Sequence, residues 1–158
     1  MRRTFPLVMI TIVSLTSCSI RAKDTGPMPT SDIATIVVRS TAFEDGAPIP
    51  ARYTCTGENV PPPLTWSGVP AGTNRVAVVV DDPDAPDGPF LHWFVLLGPS
   101  ATSVPEDIRG YRGPCPPPGK PHHYRFSVYA LETASALDAD DVRKAAVASG
   151  TLTGTFSR

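Results

Sequence analysis

The chain has 158 residues, 41% of them hydrophobic and 18% charged, which suits one domain with one core and leaves no room for a second domain of usual size. Its 14 basic and 15 acidic residues nearly cancel, so we expect neither the basic face of an electrostatic nucleic-acid binder nor a nucleic-acid partner. The 19 prolines exclude a long helical bundle, because proline lacks a backbone N–H and disrupts a helix interior.

The first predicted element is an export signal over residues 1–17. Two arginines precede the apolar run of residues 7–15, which is shorter than a membrane-spanning helix. The run ends in the sequence LTSC, residues 15–18, which resembles the bacterial lipobox, whose cysteine is lipidated and becomes the new N-terminus. We therefore expect an exported lipoprotein that is anchored in the cell membrane through Cys18. The alternative is an ordinary signal peptide with an incidental cysteine.

A tether is predicted for residues 18–34, between the lipidated Cys18 and a folded domain of residues 35–158. The segment is polar and contains Gly and Pro, which is typical of a flexible linker. With Cys18 lipidated, Cys55 and Cys115 remain, and an oxidising location outside the cytoplasm permits them to pair. We favour a disulfide over two reduced, buried thiols.

The folded part is predicted to consist mainly of strands. Residues 35–38 and 76–80 are short β-branched runs. In residues 91–97 the side chains on both faces of the expected strand are mainly apolar, which predicts a central strand covered on both faces. Residues 123–131 alternate more regularly between polar and apolar side chains, so Tyr124 and every second residue after it share one face of a strand.

One helix and a last strand complete the predicted elements. Residues 141–148 are rich in helix formers, follow acidic residues that suit a helix start, and end before Gly150. Residues 151–156 resemble a short strand. Together these elements predict a mostly-β domain with long proline-rich loops and at least one late helix.

Three segments concentrate unusual polar residues. The acidic segment of residues 81–87 follows a strand, and Asp82 continues the inward face of that strand, although a solvated acidic turn is the alternative. His92 lies on an apolar strand, where a histidine is more often a hydrogen-bonded core residue than a ligand-binding one. The proline loop of residues 113–121 leads to His122 and Tyr124, which share a face because they are two residues apart. The alternative is that the prolines protect a sheet edge and the histidines are exposed.

These segments together predict a small pocket with two imidazoles, a phenol, one or two carboxylates and proline walls. Imidazole N–H and tyrosyl O–H groups suit an oxyanion, and a carboxylate orients an imidazole. No serine or cysteine lies in a recognisable nucleophile motif and no glycine-rich phosphate loop opens a helix, so we predict no catalytic residue and no cofactor. Two histidines with an aspartate are an alternative divalent-metal site, but their spacing matches no standard metal motif.

Four stretches of the sequence resemble the phosphatidylethanolamine-binding protein family, and most closely its bacterial branch. They are YTCTGENVPPPLTW at residues 53–66, DPDAP at 82–86, LHWF at 91–94 and GPCPPPGKPHHY at 113–124. The resemblance covers about 120 residues in order and spacing. It implies a large central β-sheet packed on a smaller sheet, with one or two peripheral helices and a small anion-binding cavity.

Carried over by position, the resemblance implies a ligand site made of Asp82, Asp84, Pro86, His92, Pro117, His122 and Tyr124. The expected function is non-enzymatic binding of a phosphate-like anion or a phospholipid headgroup by a lipid-anchored protein. Members of the family also modulate kinases or inhibit proteases, so a protease or kinase partner at the pocket rim is an alternative. A metal-dependent hydrolase is a third hypothesis.

Overall fold

The computed structural model of the chain describes residues 33–135 and 138–158. The predicted export signal, Cys18 and the tether up to residue 32 lie outside the described residues. The elements, in chain order, are β1 (Ala34–Thr35), β2 (Val37–Ser40), a 3₁₀-helix (Ala51–Tyr53), β3 (Leu64–Ser67), β4 (Arg75–Asp82), β5 (Phe90–Leu97), β6 (His122–Leu131), α1 (Ala139–Ala145) and β7 (Ala146–Phe156).

The strands form a large sheet and a small one. The large sheet has the order β1-β7-β6-β4-β5, in which β1 is parallel to β7 and the other neighbours are antiparallel. The small sheet pairs β2 with β3. The predicted first strand, residues 35–38, is divided between the two sheets at Ile36, whose N–H donates to the carbonyl of Ser149 at 2.8 Å. β3 was not predicted as a strand. The predicted mostly-β fold is confirmed.

β4 lies between β6 and the edge strand β5 and is buried on both faces. Its alternate valines enter the main core beside residues of the small sheet: Val76, Val78, Val80, Leu64 and Trp66. Its other face packs under α1, where Ala77 and Val79 meet Val142. Every apolar residue of β4 is fully buried, which explains its continuous run of small apolar side chains.

The prediction that residues 91–97 form a central strand is wrong. β5 lies at the edge of the sheet and pairs with β4 alone. Leu91 and Leu96 are both 39% exposed. Both alternating sets are nevertheless apolar, because Trp93 enters the main core while Phe94 packs against the cluster under α1. An apolar edge strand and a central strand therefore have the same sequence pattern here.

The late helix is shorter and begins earlier than the predicted residues 141–148. Its N-cap is Asp138, whose Oδ1 accepts the backbone N–H groups of Asp140 and Asp141, both at 2.8 Å. The helix ends at Ala145 because the next residues pair with β6 as the start of β7. No helix within residues 33–135 and 138–158 combines the length and apolar character needed to cross a membrane.

A buried carboxylate ties α1 to the large sheet. Asp81 is 3% exposed and points away from the main core. Its two carboxylate oxygens accept hydrogen bonds from Nε and Nη2 of Arg125 at 3.0 and 2.6 Å. Nη2 of Arg143, on α1, adds a third hydrogen bond at 3.0 Å. The negative charge is thus balanced inside the protein, as burial of a carboxylate requires.

Gly150 lies inside β7 and does not end the helix, contrary to the prediction from the sequence. It pairs with Val128 of β6, and the backbone of Ile36 crosses directly over it. A Cβ atom at this position would lie 1.8 Å from the carbonyl oxygen of Ile36. Glycine is therefore required at position 150, because the chain crosses over it at Ile36 on its way from the large sheet to the small one.

Substitution Gly150→Ala should destabilise the protein by about 1–3 kcal/mol, the usual cost of overpacking a closed interior. The measurement is the free energy of unfolding from denaturant titration. Gly98→Ala is the matched control, because a Cβ there has no atom within 4 Å. Equal stability of the two variants would contradict the close approach at Ile36.

Candidate functional site

A cavity of about 290 Å³ lies where β4, β5, β6 and the proline loop meet. Its wall includes six of the seven residues expected from the sequence, namely Asp82, Pro86, His92, Pro117, His122 and Tyr124. A larger groove of about 740 Å³ lies beside β3, but its lining contains no histidine. The predicted polar residues therefore converge on the smaller cavity.

Asp82 and His122 form a buried pair on the inner wall. Nδ1 of His122 donates to Oδ2 of Asp82 at 2.8 Å, and the two side chains are 10% and 4% exposed, respectively. The other oxygen, Oδ1, accepts the backbone N–H of Asp84 at 2.8 Å. Because an ionised carboxylate only accepts, Nδ1 of His122 carries a hydrogen and Nε2 is left to meet a ligand.

A β-bulge brings His92 into the cavity. The pairing of β4 with β5 shifts between Val80 and Asp81, which makes His92 the extra residue of β5. Its ring therefore lies on the same side as Trp93 and meets Tyr124 edge-on, with 5.2 Å between ring centroids. The alternating pattern of β5 predicts that His92 and Trp93 point to opposite faces of the sheet. For His92 this prediction is wrong, because the bulge turns its side chain to the face of Trp93.

The ring of His92 is held by the backbone of Arg112. Nδ1 of His92 donates to the carbonyl oxygen of Arg112 at 2.6 Å, and the Arg112 N–H donates back to the His92 carbonyl at 3.1 Å. Burial lowers the pKa of His92, an effect that the Arg112 carbonyl and the charge of Asp82 oppose. The neutral ring therefore has its hydrogen on Nδ1 and a free lone pair on Nε2.

Tyr124 supplies a buried phenol to the wall of the cavity, beside the ring of His92. Its side chain is fully buried, and its Oη has no hydrogen-bond partner within the described part of the chain. Burial, assisted by the charge of Asp82, raises the pKa of Tyr124, so the phenol keeps its proton. An unpaired buried hydroxyl costs free energy, and a ligand oxygen that reached it would remove that cost.

The rim contains two residues that sequence reasoning missed, Arg112 and Phe90. The guanidinium carbon of Arg112 lies 4.9 Å from the centroid of the Phe90 ring, and that ring meets His92 edge-on at 4.9 Å. Both rim residues are exposed, and both line the cavity. The only available signal was their position, directly before the proline loop and at the start of β5.

The proline loop is fastened to the segment that follows the 3₁₀-helix. Cys55 and Cys115 form a disulfide with their Cα atoms 5.4 Å apart, which confirms the predicted pairing. The N–H of Cys55 donates to the carbonyl of Pro114 at 3.0 Å, and the N–H of Gly113 donates to Oδ1 of Asn59 at 2.8 Å. Since Cys115 lines the cavity, these links fix one of its walls.

Asp84, expected from the sequence to bind the ligand, lies outside the cavity. Its Oδ2 accepts the backbone N–H and Nδ1 of His123 at 2.8 and 2.7 Å. These hydrogen bonds lower the pKa of Asp84, and both side chains are exposed to solvent. The acidic segment is therefore mixed: Asp82 is buried as predicted from its alternation, whereas Asp84 belongs to a solvated turn.

A metal-binding arrangement is not found among residues 33–135 and 138–158, where no group of three His, Cys, Asp or Glu side chains is placed to hold an ion. In the cavity, Nδ1 of His122 already donates to Asp82, and Nδ1 of His92 donates to a carbonyl. What the cavity offers a ligand is therefore the two Nε2 atoms, the phenol of Tyr124 and the cation of Arg112.

Comparison with protein families identifies a match over most of the described chain. The family profile described as phosphatidylethanolamine-binding protein matches residues 39–157. The candidate lipoprotein LppC of Mycobacterium tuberculosis is 41% identical over 156 aligned residues, covering 84% of this chain and 76% of LppC. A UPF0098 protein of Methanothermobacter thermautotrophicus is 40% identical over 121 residues, covering 64% of this chain and 80% of that protein.

Comparison with solved structures finds the same fold. The crystal structure of Escherichia coli YbcL superposes on this chain with a TM-score of 0.71. YbcL is described as a new member of the mammalian PEBP (phosphatidylethanolamine-binding protein) family. The two chains are 29% identical, and the match covers 78% of this chain and 98% of YbcL. The sheets and loops that build the cavity thus belong to a fold already seen in crystals.

The buried, neutral state of His92 predicts a specific loss of stability in acid. Its pKa is lower in the folded protein than the ordinary value of 6.5, so below about pH 6.5 the unfolded chain binds more protons than the folded one. The free energy of unfolding should therefore fall as the pH drops through that window, and His92→Asn should lose less over the same range. Denaturant titrations of both proteins at pH 7.5 and 5.5 measure the difference. Identical losses would contradict the assignment.

Proposed function

This chain belongs to the phosphatidylethanolamine-binding protein family, and on that premise we propose that it is a non-enzymatic binding protein for a phosphate-type anion, free or within a phospholipid headgroup. One observation carries the proposal. Two imidazoles, each held by its Nδ1, line one small cavity together with Tyr124, whose buried hydroxyl has no hydrogen-bond partner within residues 33–135 and 138–158. Such fixed polar atoms in an otherwise apolar wall are typical of a small-molecule site.

Size and charge both support a small anion. A cavity of about 290 Å³ is at the lower end of the range for ligand pockets, so it suits a headgroup better than a large substrate. Arg112 supplies a positive charge at the rim, and a guanidinium suits phosphate oxygens. The one carboxylate in the wall, that of Asp82, already accepts from His122 and from a backbone N–H. Its repulsion of an anion is therefore reduced.

The wall chemistry supports binding over covalent catalysis. Its one sulfur belongs to Cys115, which is bonded to Cys55. Among the wall residues the one hydroxyl is that of Tyr124, whose raised pKa keeps it protonated and weakly nucleophilic.

Titration of residues 31–158 with inorganic phosphate, followed by NMR, should move the imidazole signals of His92 and His122. His122→Asn should weaken binding at least about tenfold, because the Nε2 contact is lost. His123→Asn is the matched control, since that ring points to Asp84 outside the cavity. Imidazole signals that stay unchanged at millimolar phosphate and millimolar phosphoethanolamine would contradict the proposal.

Attachment to the membrane through a lipid on Cys18 is part of the same proposal. It is supported by the LTSC sequence at residues 15–18 and by the name of the relative LppC, a candidate lipoprotein. Mass spectrometry of the envelope fraction should find a diacylated Cys18 as the first residue, and Cys18→Ser should abolish the lipid. An unmodified N-terminus at any other residue would contradict the anchor.

A second candidate function is regulation of a protease or kinase through the cavity rim. It is favoured by Phe90, which is 43% exposed beside Arg112, and by the exposed Pro117 and Pro118 of the adjoining loop. Exposed aromatic and arginine side chains are common anchors in protein interfaces. Loss of an envelope partner in Phe90→Ala, with phosphate binding retained, would favour this function over the first.

A further inference from the structure

The tautomers of the two cavity histidines restrict which anions the site accepts. Nδ1 of His92 faces a carbonyl oxygen at 2.6 Å, and Nδ1 of His122 faces a carboxylate oxygen at 2.8 Å. Neither partner has a hydrogen to donate, so each imidazole must donate from Nδ1. In a neutral ring the second nitrogen, Nε2, then carries a lone pair and accepts a hydrogen bond.

The surroundings of the two rings differ in charge. The ring of His122 contacts the carboxylate of Asp82 directly. His92 has no such contact, because its Nδ1 partner is the neutral backbone of Arg112. The titratable groups that line the cavity with His92 are Asp82 of β4, His122 and Tyr124 of β6, and Arg112 of the loop. The charge of Asp81 reaches His92 from the opposite face of β4.

The balance of these groups keeps His92 neutral near pH 7. Burial is the largest influence and lowers its pKa, and the nearby cation of Arg112 acts in the same direction. The hydrogen bond to the Arg112 carbonyl and the charges of the two carboxylates raise the pKa of His92, but neither carboxylate contacts the ring. At neutral pH the cavity therefore offers an acceptor at Nε2 of His92, and an anion without hydrogens would place an oxygen lone pair against it.

We infer that the cavity selects oxyanions that carry an acidic O–H, such as inorganic phosphate and protonated phosphate monoesters, over anions of similar size that carry none. The ligand hydroxyl donates to Nε2 of His92, while its charged oxygens meet the hydroxyl of Tyr124 and the guanidinium of Arg112. This inference rests on the proposed function and narrows it. A diester headgroup has no P–OH and is predicted to bind poorly at neutral pH.

Calorimetric titration with phosphate and with sulfate tests the inference. The two ions are similar in size and shape, but near pH 7.5 phosphate carries a hydrogen and sulfate does not. Phosphate should bind at least about tenfold more tightly, the range expected for a hydrogen bond to a charged ligand. The ratio should shrink as the pH is lowered through the titration of His92, because a protonated Nε2 donates equally to both ions.

A second pair of ligands distinguishes a free ester from a lipid headgroup. Phosphoethanolamine takes up a proton to form a P–OH, whereas glycerophosphoethanolamine, the diester headgroup of the phospholipid, does not. The monoester should bind more tightly at pH 7.5, with net uptake of protons seen by comparing buffers of different ionisation enthalpy. Equal affinities for the two esters would overturn the inference.

His92→Asn identifies the residue responsible. The asparagine amide replaces the Nδ1 donor to Arg112 but removes the Nε2 acceptor, so phosphate affinity should fall towards that of sulfate. A variant that weakens both ions equally would contradict a role in selection. If the variant does not fold, the pH dependence of the wild-type ratio decides instead.

The failures of the two proposals are distinguishable. If phosphate and sulfate bind with equal affinity at pH 7.5, the cavity binds anions but does not select for hydrogen, and only the inference is overturned. If none of the four ligands binds, the proposed function itself fails and the inference fails with it.

Discussion

The carboxylate of Asp82 is the point at which three parts of the protein are joined. It ends β4, receives Nδ1–H of His122 at the start of β6, and accepts the backbone N–H of Asp84 in the acidic loop. A carboxylate that is only 3% exposed must be hydrogen-bonded to be tolerated, so the loop and β6 are held where these bonds can form. The position of His122, and with it the inner wall of the cavity, follows from this requirement.

The prolines have two consequences at the opposite wall. Proline offers no backbone N–H, so the wall at Pro86, Pro116 and Pro117 provides no amide donor, and the proposed anion would have to be bound by side chains there. Proline also stiffens a loop, and a stiff loop loses less entropy when a ligand binds. The disulfide of Cys115 fastens this loop to the preceding segment. Three of the 19 prolines in the sequence thus form part of the wall of this cavity.

Sequence alternation predicted the parts of the site that lie on regular strands and failed where the strand is irregular. Asp82, His122 and Tyr124 follow a period of two, so their common face was predictable. The position of His92 depends on a bulge set by its pairing with β4, which no local pattern reveals. Arg112 was missed because its role comes from a loop that folds back onto β5, and the edge position of β5 was hidden by its apolar residues on both faces.

The arrangement of hydrogens on the two imidazoles links this architecture to the proposed ligand selection, since the backbone of Arg112 and the carboxylate of Asp82 each fix one tautomer. The most direct measurement is a long-range ¹H–¹⁵N correlation spectrum of the ligand-free protein at pH 7.5, which distinguishes protonated from unprotonated ring nitrogens. We expect His92 to have a protonated Nδ1 and an unprotonated Nε2. A hydrogen on Nε2 of His92, with Nδ1 bare or with both nitrogens protonated, would contradict it.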